Sequence, residues 1–495
     1  MFDSAIQALQ ILTQPDHFLF LFLGVVVGLF IGILPGLGGM VGMALLMPLT
    51  YGMDPVSGVA MLIGLGSVIT TSDTFPSVLM GIPGSSGSQA TIMDGYPLAQ
   101  KGEGARALSA AFICSLVGGI IGALMLSAIL PFAVPIVLAL GTPELLMITL
   151  LGLGMVAVLS GRNPVLGLLA TTMGLILGSF GTAPTSAVYR FTLDTDYLLD
   201  GVKLTSLAIG LFAIPEFIAL LSKGGAITDK KTDLGAGWMQ GLRDVMKNKL
   251  LVVRHALIGA GIGFIPGLGN AIIDWINYGV VIRFAKDKSQ FGKGDIRGVI
   301  APESANNAKE GGALIPTILF GIPGSGSMAL LLAALVIMGV EPGPDLILTE
   351  AELVFVIVWS IAIANVLGAA IAFILSGPIS KLAVIPFYKI MPFILLLISV
   401  GAYQATSHIG DLFSLLVFGV VGCIMRQTGI PRAPMLIGFV LSTPVERYLW
   451  QVTSRYEMEW LTRPGVLIIG ALMVFIIGFS LFSSGRKTKT VGEQE

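Results

Sequence analysis

A chain of 495 residues that is 55% hydrophobic and only 12% charged is no ordinary soluble domain, which carries about twice that charge fraction. Its net charge of −1 provides no basic footprint for nucleic acid. Cys114 and Cys423 each sit in an apolar run with no Cys-x-x-Cys spacing, so both read as small buried hydrophobes.

The first apolar run is uncharged from Phe18 to Met53. It lacks the basic flank and small-residue cleavage site of a signal peptide and outlasts an h-region, so it reads as a retained membrane segment. Ile33-Leu34-Pro35-Gly36-Leu37-Gly38 interrupts it. Proline removes a donor and glycine permits positive φ, so a helix should break here. The carbonyls unwound at Pro35 and Gly36 then offer ligands to a coupling ion; a kink packed on a neighbour is the alternative. Next comes Thr70-Thr71-Ser72-Asp73-Thr74, one carboxylate among hydroxyls between uncharged flanks. An ionisable residue so placed is a functional candidate. Ser72, Asp73 and Thr74 are hard oxygen ligands for Na⁺, Asp73 equally suits a shuttled proton, and a helix-end cap is the bland reading.

The segment Gly81-Ile82-Pro83-Gly84-Ser85-Ser86-Gly87-Ser88 follows. Gly81, Pro83 and Gly84 should end a helix, and Ser85 or Ser86 can cap a new half-helix running toward Met93. Exposed N–H groups beside hydroxyls at a positive dipole end suit a carboxylate. Beyond the uncharged run Ala107 to Pro143, Glu144 and Arg162 mark segment ends.

The longest polar interval, Lys223 to Arg254, holds seven Lys and Arg against three Asp, which places it in the cytoplasm by the positive-inside rule. The expected organisation is a membrane repeat over 1–222, a cytoplasmic linker over 223–254, a second membrane repeat over 255–485 and a cytoplasmic tail over 486–495. The second repeat rewrites the first. Phe264-Ile265-Pro266-Gly267-Leu268-Gly269 matches the earlier Pro-Gly-Leu-Gly element, with Pro266 and Gly267 as its break. Gly321-Ile322-Pro323-Gly324-Ser325-Gly326-Ser327 matches the serine-bearing element, and Pro76 and Pro316 share its register. Between them lies Pro302-Glu303-Ser304-Ala305-Asn306-Asn307-Ala308-Lys309-Glu310. Asn306 and Asn307 can donate to carboxylates and coordinate a cation through their carbonyl oxygens; Glu303 and Glu310 are as readily interfacial. Later, His408 and Asp411 offer a proton relay or an interhelical hydrogen bond.

Paired Gly/Pro interruptions in two halves of a membrane chain point to a midplane substrate site. The fold class expected is an all-α polytopic membrane protein with about ten to twelve membrane segments, in two homologous halves with broken helices or re-entrant hairpins. Basic residues follow the helical stretch in both halves, which leaves their relative orientation open; inversion is expected because alternating access is commonly built that way. The substrate-binding set is Gly81, Pro83, Gly84, Ser85, Ser86, Gly321, Pro323, Gly324, Ser325, Ser327, Asn306 and Asn307. The ion-coupling set is Ser72, Asp73, Thr74, Pro35, Gly36, Pro266 and Gly267.

The two Pro-Gly-Leu-Gly elements, the two Gly-Ile-Pro-Gly-Ser elements, Asp94-Gly95-Tyr96-Pro97 and Pro302 to Asn307 together resemble the large membrane subunit of the tripartite tricarboxylate transporters. The resemblance runs from about Gly32 to about Pro444. It implies a bacterial inner-membrane permease working with a small membrane subunit and a periplasmic substrate-binding protein. It also implies uptake of a di- or tricarboxylate driven by Na⁺ or H⁺, without a cofactor and without enzymatic activity. An elevator form of alternating access is the expected mechanism. Asn270 follows the second Pro-Gly-Leu-Gly where Gly39 follows the first, so the two sites need not be equivalent. No Gly-x-x-x-x-Gly-Lys-Ser/Thr loop occurs, which argues against nucleotide drive within this chain. The rival readings are a stand-alone carboxylate carrier or channel and an intramembrane serine protease, in which Gly84-Ser85-Ser86-Gly87 supplies the nucleophile and His408 the base.

Overall fold

The computed structural model describes residues 1–34, 36–159, 163–223, 234–268, 270–382, 391–404 and 406–491. Pro35, Gly269, Arg162 and residues 224–233 of the expected linker lie outside them. The chain is helical almost throughout, with one two-residue antiparallel pairing of Gly181–Thr182 with Tyr189–Arg190.

Helix starts follow local chemistry. Pro15, Pro55 and Pro164 occupy first-turn positions, where a missing N–H costs nothing. Asp54 caps its helix by accepting the Ser57 N–H at 3.2 Å, and Asn163 accepts that of Val165 at 3.0 Å. Among the described residues five helices are long and apolar enough to cross a membrane: Pro15–Ile33, Pro55–Met80, Gly104–Ala139, Ala351–Pro378 and Gly410–Thr428. Six shorter apolar helices accompany them, among them Gly39–Thr50, Thr142–Ala157 and Gly326–Ile337. Long and short together fall within the expected about ten to twelve.

Packing is paired and crossed. Pro15–Ile33 lies on Pro55–Ser72, and Lys249–Gly263 lies on Arg297–Phe320. Arg297–Phe320 in turn packs on Gly104–Ala139, while Pro55–Ser72 packs on Ala351–Leu382. Small residues permit the close approach: a methyl group on Gly28 would lie 2.6 Å from the Leu65 carbonyl oxygen, and one on Gly122 would lie 2.7 Å from that of Ala308. Two short helices brace the outside. Phe2–Leu12 receives the Trp359 indole N–H on Ala5 O at 2.8 Å. Trp238–Lys247, inside the polar interval, receives the Ser109 hydroxyl on Trp238 O at 2.7 Å.

The two ends differ in charge. At one, Arg106 bonds Asp244 at 2.6 Å and Lys101 bonds Lys293 O at 2.6 Å, while Arg254, Lys286 and Arg297 line a single groove. At the other, Asp54, Glu341, Asp345, Glu350 and Glu352 line a groove of about 480 Å³. The helix Pro55–Ser72 starts at the acidic end, whereas Arg297–Phe320 starts at the basic end.

Candidate functional site

Each Gly-Ile-Pro-Gly-Ser element is a reversal at the foot of a long helix. The helix Thr74–Met80 ends on Gly81 (φ +68°), and Arg297–Phe320 ends on Gly321 (φ +65°). Both glycines are left-handed, a conformation that costs other residues roughly 1–2 kcal/mol. The chain then folds back. Ile82 N–H reaches Pro76 O at 3.3 Å, and Ile322 N–H reaches Pro316 O at 3.2 Å. Gly84 N–H donates to the Ser77 hydroxyl at 3.3 Å, and Gly324 N–H donates to the Thr317 hydroxyl at 3.3 Å.

The Pro-Gly-Leu-Gly elements clasp these reversals. Gly36 N–H donates to Gly84 O at 3.0 Å, and Gly267 N–H donates to Gly324 O at 3.2 Å. Both turns again need positive φ, +86° at Gly36 and +85° at Gly267. Two motifs far apart in sequence are therefore one unit in space.

Both tips end in a serine cap. Ser85 accepts the Gly87 N–H at 3.0 Å and heads a single 3₁₀ turn, Ser86–Ser88; the next helix begins only at Thr91. Ser325 accepts the Met328 N–H at 3.3 Å and heads the twelve-residue helix Gly326–Ile337. The tips meet beside the first clasp. A methyl group on Gly38 would lie 3.9 Å from Ser85 Cβ, and one on Gly39 would lie 3.1 Å from the Ser327 hydroxyl. Ser86 is exposed, while Ser85, Ser325 and Ser327 are half-buried. Pro83 is exposed, Pro323 is buried, and Pro266 is half-buried in the second clasp.

Around the first tip the polar groups are dense. The Ser85 hydroxyl donates to Asp73 Oδ2, while Asp73 Oδ1 has no partner among the described residues. Asp73 itself is fully buried, at a one-residue break between Pro55–Ser72 and Thr74–Met80. Pro76, with no N–H to donate, sits just beyond it. Asn306 is 2% exposed, and neither its amide nitrogen nor its amide oxygen has a partner among the described residues. A methyl group on Gly87 would lie 2.7 Å from Asn306 Oδ1, so this orphaned amide faces the first tip. Buried polar atoms without partners are rare in folded proteins, and each asks for an explanation.

Several predicted residues have other partners. Asn307 braces helices: its amide donates to Ser67 O at 3.2 Å, to the Thr71 hydroxyl at 2.9 Å and to Asn365 Oδ1 at 2.7 Å. The Ser72 hydroxyl lies against carbonyls of Gly28, Val68 and Ile69. Thr74 donates to Glu303 at 3.0 Å. Glu303 is fully buried and also accepts from Thr91 at 2.7 Å and Ser115 at 3.3 Å. Lys309, 3% exposed, is paired with Glu310.

Two residues not singled out above join the site. Asp274 is 1% exposed; its Oδ2 accepts the Ala90 N–H at 2.6 Å, and its Oδ1 has no partner among the described residues. Glu216, ion-paired with Arg426 and Arg432, stands beside Gly36, where an added methyl would lie 3.8 Å from Glu216 Oε2. Farther off, Asp94 docks the loop before Arg297, accepting Gly294 N–H at 2.9 Å, Asp295 N–H at 2.8 Å and the Tyr278 hydroxyl at 2.9 Å. Asp411 accepts from Tyr197 at 2.8 Å and Thr406 at 2.6 Å. His408 stacks on Tyr197 and accepts the Gly410 N–H at 2.9 Å, so its ring is engaged with its own loop.

A cavity of about 660 Å³ opens between the shoulder of the second reversal (Phe320, Gly321) and the helix Arg432–Tyr456. None of Asp73, Ser85, Asp274, Asn306, Ser325 or Ser327 lines it. The orphaned atoms at the first tip lie outside this cavity.

Apolar helices with two clasped reversals meeting in the interior define a multi-pass membrane transport protein. The family profile described as the tripartite tricarboxylate transporter TctA family matches residues 18–437, and the chain belongs to that family. It is 31% identical over 473 residues to an Agrobacterium vitis protein described as "Uncharacterized 52.8 kDa protein in TAR-I ttuC' 3'region", covering 93% of each chain. A second Agrobacterium vitis protein, "Uncharacterized protein in TAR-II ttuC' 3'region", is 35% identical over 191 residues, 39% of this chain and 79% of its own. No solved structure matches.

Proposed function

We propose that the chain is the permease of a tripartite carboxylate transporter, coupling entry of a di- or tricarboxylate to a Na⁺ or H⁺ gradient at the two clasped tips. The carrying observation is the unpartnered set Asp73 Oδ1, Asn306 Oδ1 and Asn306 Nδ2 around the first tip. Buried polar atoms without partners are costly unless a ligand completes them.

The tips divide the work. At the second, the helix Gly326–Ile337 presents its positive end, with Ser325 and Ser327, between apolar neighbours such as Met40, Ala313 and Ala433. That is an anion site of the helix-terminus kind. At the first, Asp73 and Ser85 supply oxygen ligands for the coupling cation. Asn306 abuts the same tip, with its N–H groups free for a substrate carboxylate. Cation and carboxylate then neutralise each other side by side, which couples their binding.

The alternating-access reading rests on the pairing of the halves as an inverted repeat. Matched residues make matched bonds at both clasps and both reversals, and the matched long helices begin at opposite ends of the molecule. The positive-inside rule puts the basic end, with the 223–254 linker, in the cytoplasm, and the acidic groove outside. An elevator movement of the clasped tips past the Gly104–Ala139 and Ala351–Leu382 helices, with a small membrane subunit and a periplasmic binding protein as partners, completes the proposal. The protease reading has no support in the geometry: Ser85 bonds Asp73, and His408 is held by Tyr197 and Gly410.

Cysteine accessibility tests the site. With Cys114 and Cys423 replaced, Ser86→Cys and Ser327→Cys should each react with a soluble thiol reagent in membranes. A transported carboxylate plus the coupling ion should slow both reactions. Labelling that no member of a carboxylate panel protects would refute a substrate site at the tips.

A further inference from the structure

The proposed coupling site leaves one buried carboxylate unexplained. Asp274 lies in the helix Asn270–Phe284, against the first tip at Ala90. The short turn Ser86–Ser88 packs on both this helix and Arg297–Phe320, so Asp274 and Asn306 flank one stretch of backbone, residues 86–90. Asp274 Oδ2 is tied to Ala90 N–H at 2.6 Å, and Trp275 next to it donates its indole N–H to Gln89 at 3.3 Å. Asp274 Oδ1 and both Asn306 amide atoms remain without partners among the described residues.

Carboxyl groups crowd the first tip. Asp73, Asp274 and Glu303 lie within electrostatic range of one another, and all three are at most 1% exposed. The buried cation close by, Lys309, is already paired with Glu310. Among the described residues no three acidic, histidine or cysteine groups converge closely enough to hold one metal ion. Asp73 is tied to Ser85 and Asp274 to Ala90, so the two carboxylates hold different points of the first tip. Glu303 is met by three hydroxyl donors, whereas Asp274 meets only backbone N–H groups, of Ala90 and Gln89, with no hydrogen-bond partner on Oδ1 among the described residues. Of the three carboxylates the second half supplies Asp274 and Glu303, and the residue matching Asp73 there is Ala313 by the register of the reversals. The crowding of acids is thus confined to the first tip.

We infer that Asp274 Oδ1, Asn306 Oδ1 and the backbone of residues 86–90 form a Na⁺ site separate from Asp73, so that the first tip binds Na⁺ before or together with the carboxylate. This rests on the reading of the tips as the transport site. Neutral amide and carbonyl oxygens beside one carboxylate suit a monovalent hard cation, which takes several oxygen ligands, whereas a proton uses only one. Because Asp274 holds Ala90 and Asn306 abuts Gly87, Na⁺ here fixes the first tip against the second half. Loading therefore sets the shape of the site the substrate meets.

The test is equilibrium binding of ²²Na⁺ to the purified full-length chain, with choline as the control salt. Asp274→Asn should bind one Na⁺ fewer per chain than the parent, and Asp73→Asn should keep the Asp274-dependent ion. Gly87→Ala, which leaves every carboxylate in place but puts a methyl 2.7 Å from Asn306 Oδ1, should weaken that same ion at least tenfold. Na⁺ should also change Trp275 fluorescence in the parent and not in Asp274→Asn. Folding of each variant is checked by its melting temperature. Equal Na⁺ binding by folded Asp274→Asn and parent overturns the inference, as does a folded parent that binds none. If proton-driven uptake persists in a parent that binds no Na⁺, the permease reading stands and this site falls; if no cation gradient drives uptake, the permease reading itself falls.

Discussion

Adjacent asparagines with opposite fates offer a sharp test. Asn307 shares its two N–H groups among three acceptors at 3.2, 2.9 and 2.7 Å. Hydrogen bonds between membrane helices contribute about 0.6 kcal/mol on average and up to about 1.7. Asn307→Ala therefore removes about 1–2 kcal/mol of bonding, and the void adds about 1 kcal/mol. Relief of its unpartnered Oδ1 returns about 1 kcal/mol. The net loss is about 1–2 kcal/mol. Asn306→Ala loses no hydrogen bond and removes one orphaned donor and one orphaned acceptor, so its stability should stay level or rise by about 1 kcal/mol. For a chain of this length the two variants should differ by about 1–3 °C in melting temperature. Function should run the other way: Asn306→Ala should lose uptake at least tenfold, while Asn307→Ala keeps its apparent substrate affinity. Thermal unfolding in detergent and uptake into membrane vesicles read both. A destabilised Asn306→Ala, or equal uptake losses in the two variants, would refute the assignment of one asparagine to ligands and the other to packing.

Other outcomes follow from the same geometry. Asp73→Asn should abolish ion-driven accumulation while exchange of unlabelled for labelled substrate survives; unchanged accumulation in vesicles would make Asp73 structural. Ser85→Ala combined with Ser325→Ala should weaken uptake at normal expression, and normal uptake by the double variant would remove the serines from the site. Gly36→Ala should cost about 1–2 kcal/mol for its left-handed turn, because a methyl there meets only Glu216 Oε2 at 3.8 Å. Gly267→Ala should cost clearly more, since its methyl would also lie 2.7 Å from Met155 O and 2.9 Å from Val156 Cα; equal melting temperatures would show that the second clasp yields.

The sequence displayed the breaks plainly, because Gly and Pro disrupt apolar helices by backbone chemistry alone. Ser325 heads the long half-helix that its motif implies, whereas Ser85 heads only one 3₁₀ turn, although both copies carry the same Gly-Ile-Pro-Gly-Ser. What could not be read was which break meets which. That the Gly36 N–H clasps Gly84 O is a contact across 48 residues, and no local pattern encodes it. Asp274 carries no local signal, because it stands alone between Ile273 and Trp275, close to the basic Lys286–Arg297 segment, in the pattern of an interfacial acid. Glu303 looked interfacial for the same reason, yet it is fully buried on three hydroxyls from Thr74, Thr91 and Ser115. A buried carboxylate differs from a surface one only through partners supplied by other helices. Adjacent Asn306 and Asn307 look identical in sequence, and 100° of helix rotation between neighbours sends one to the tip and the other into the packing.

The most direct measurement is uptake of a panel of labelled di- and tricarboxylates into vesicles. The chain would be tested alone and with a small membrane subunit and a periplasmic binding protein of the same transporter family, under an imposed Na⁺ gradient and separately under a proton gradient. Accumulation of at least one acid is expected, dependent on the partners and on one of the two gradients, and lost in Asp73→Asn. Uptake by the chain alone, or by either combination with no gradient at all, would contradict that expectation.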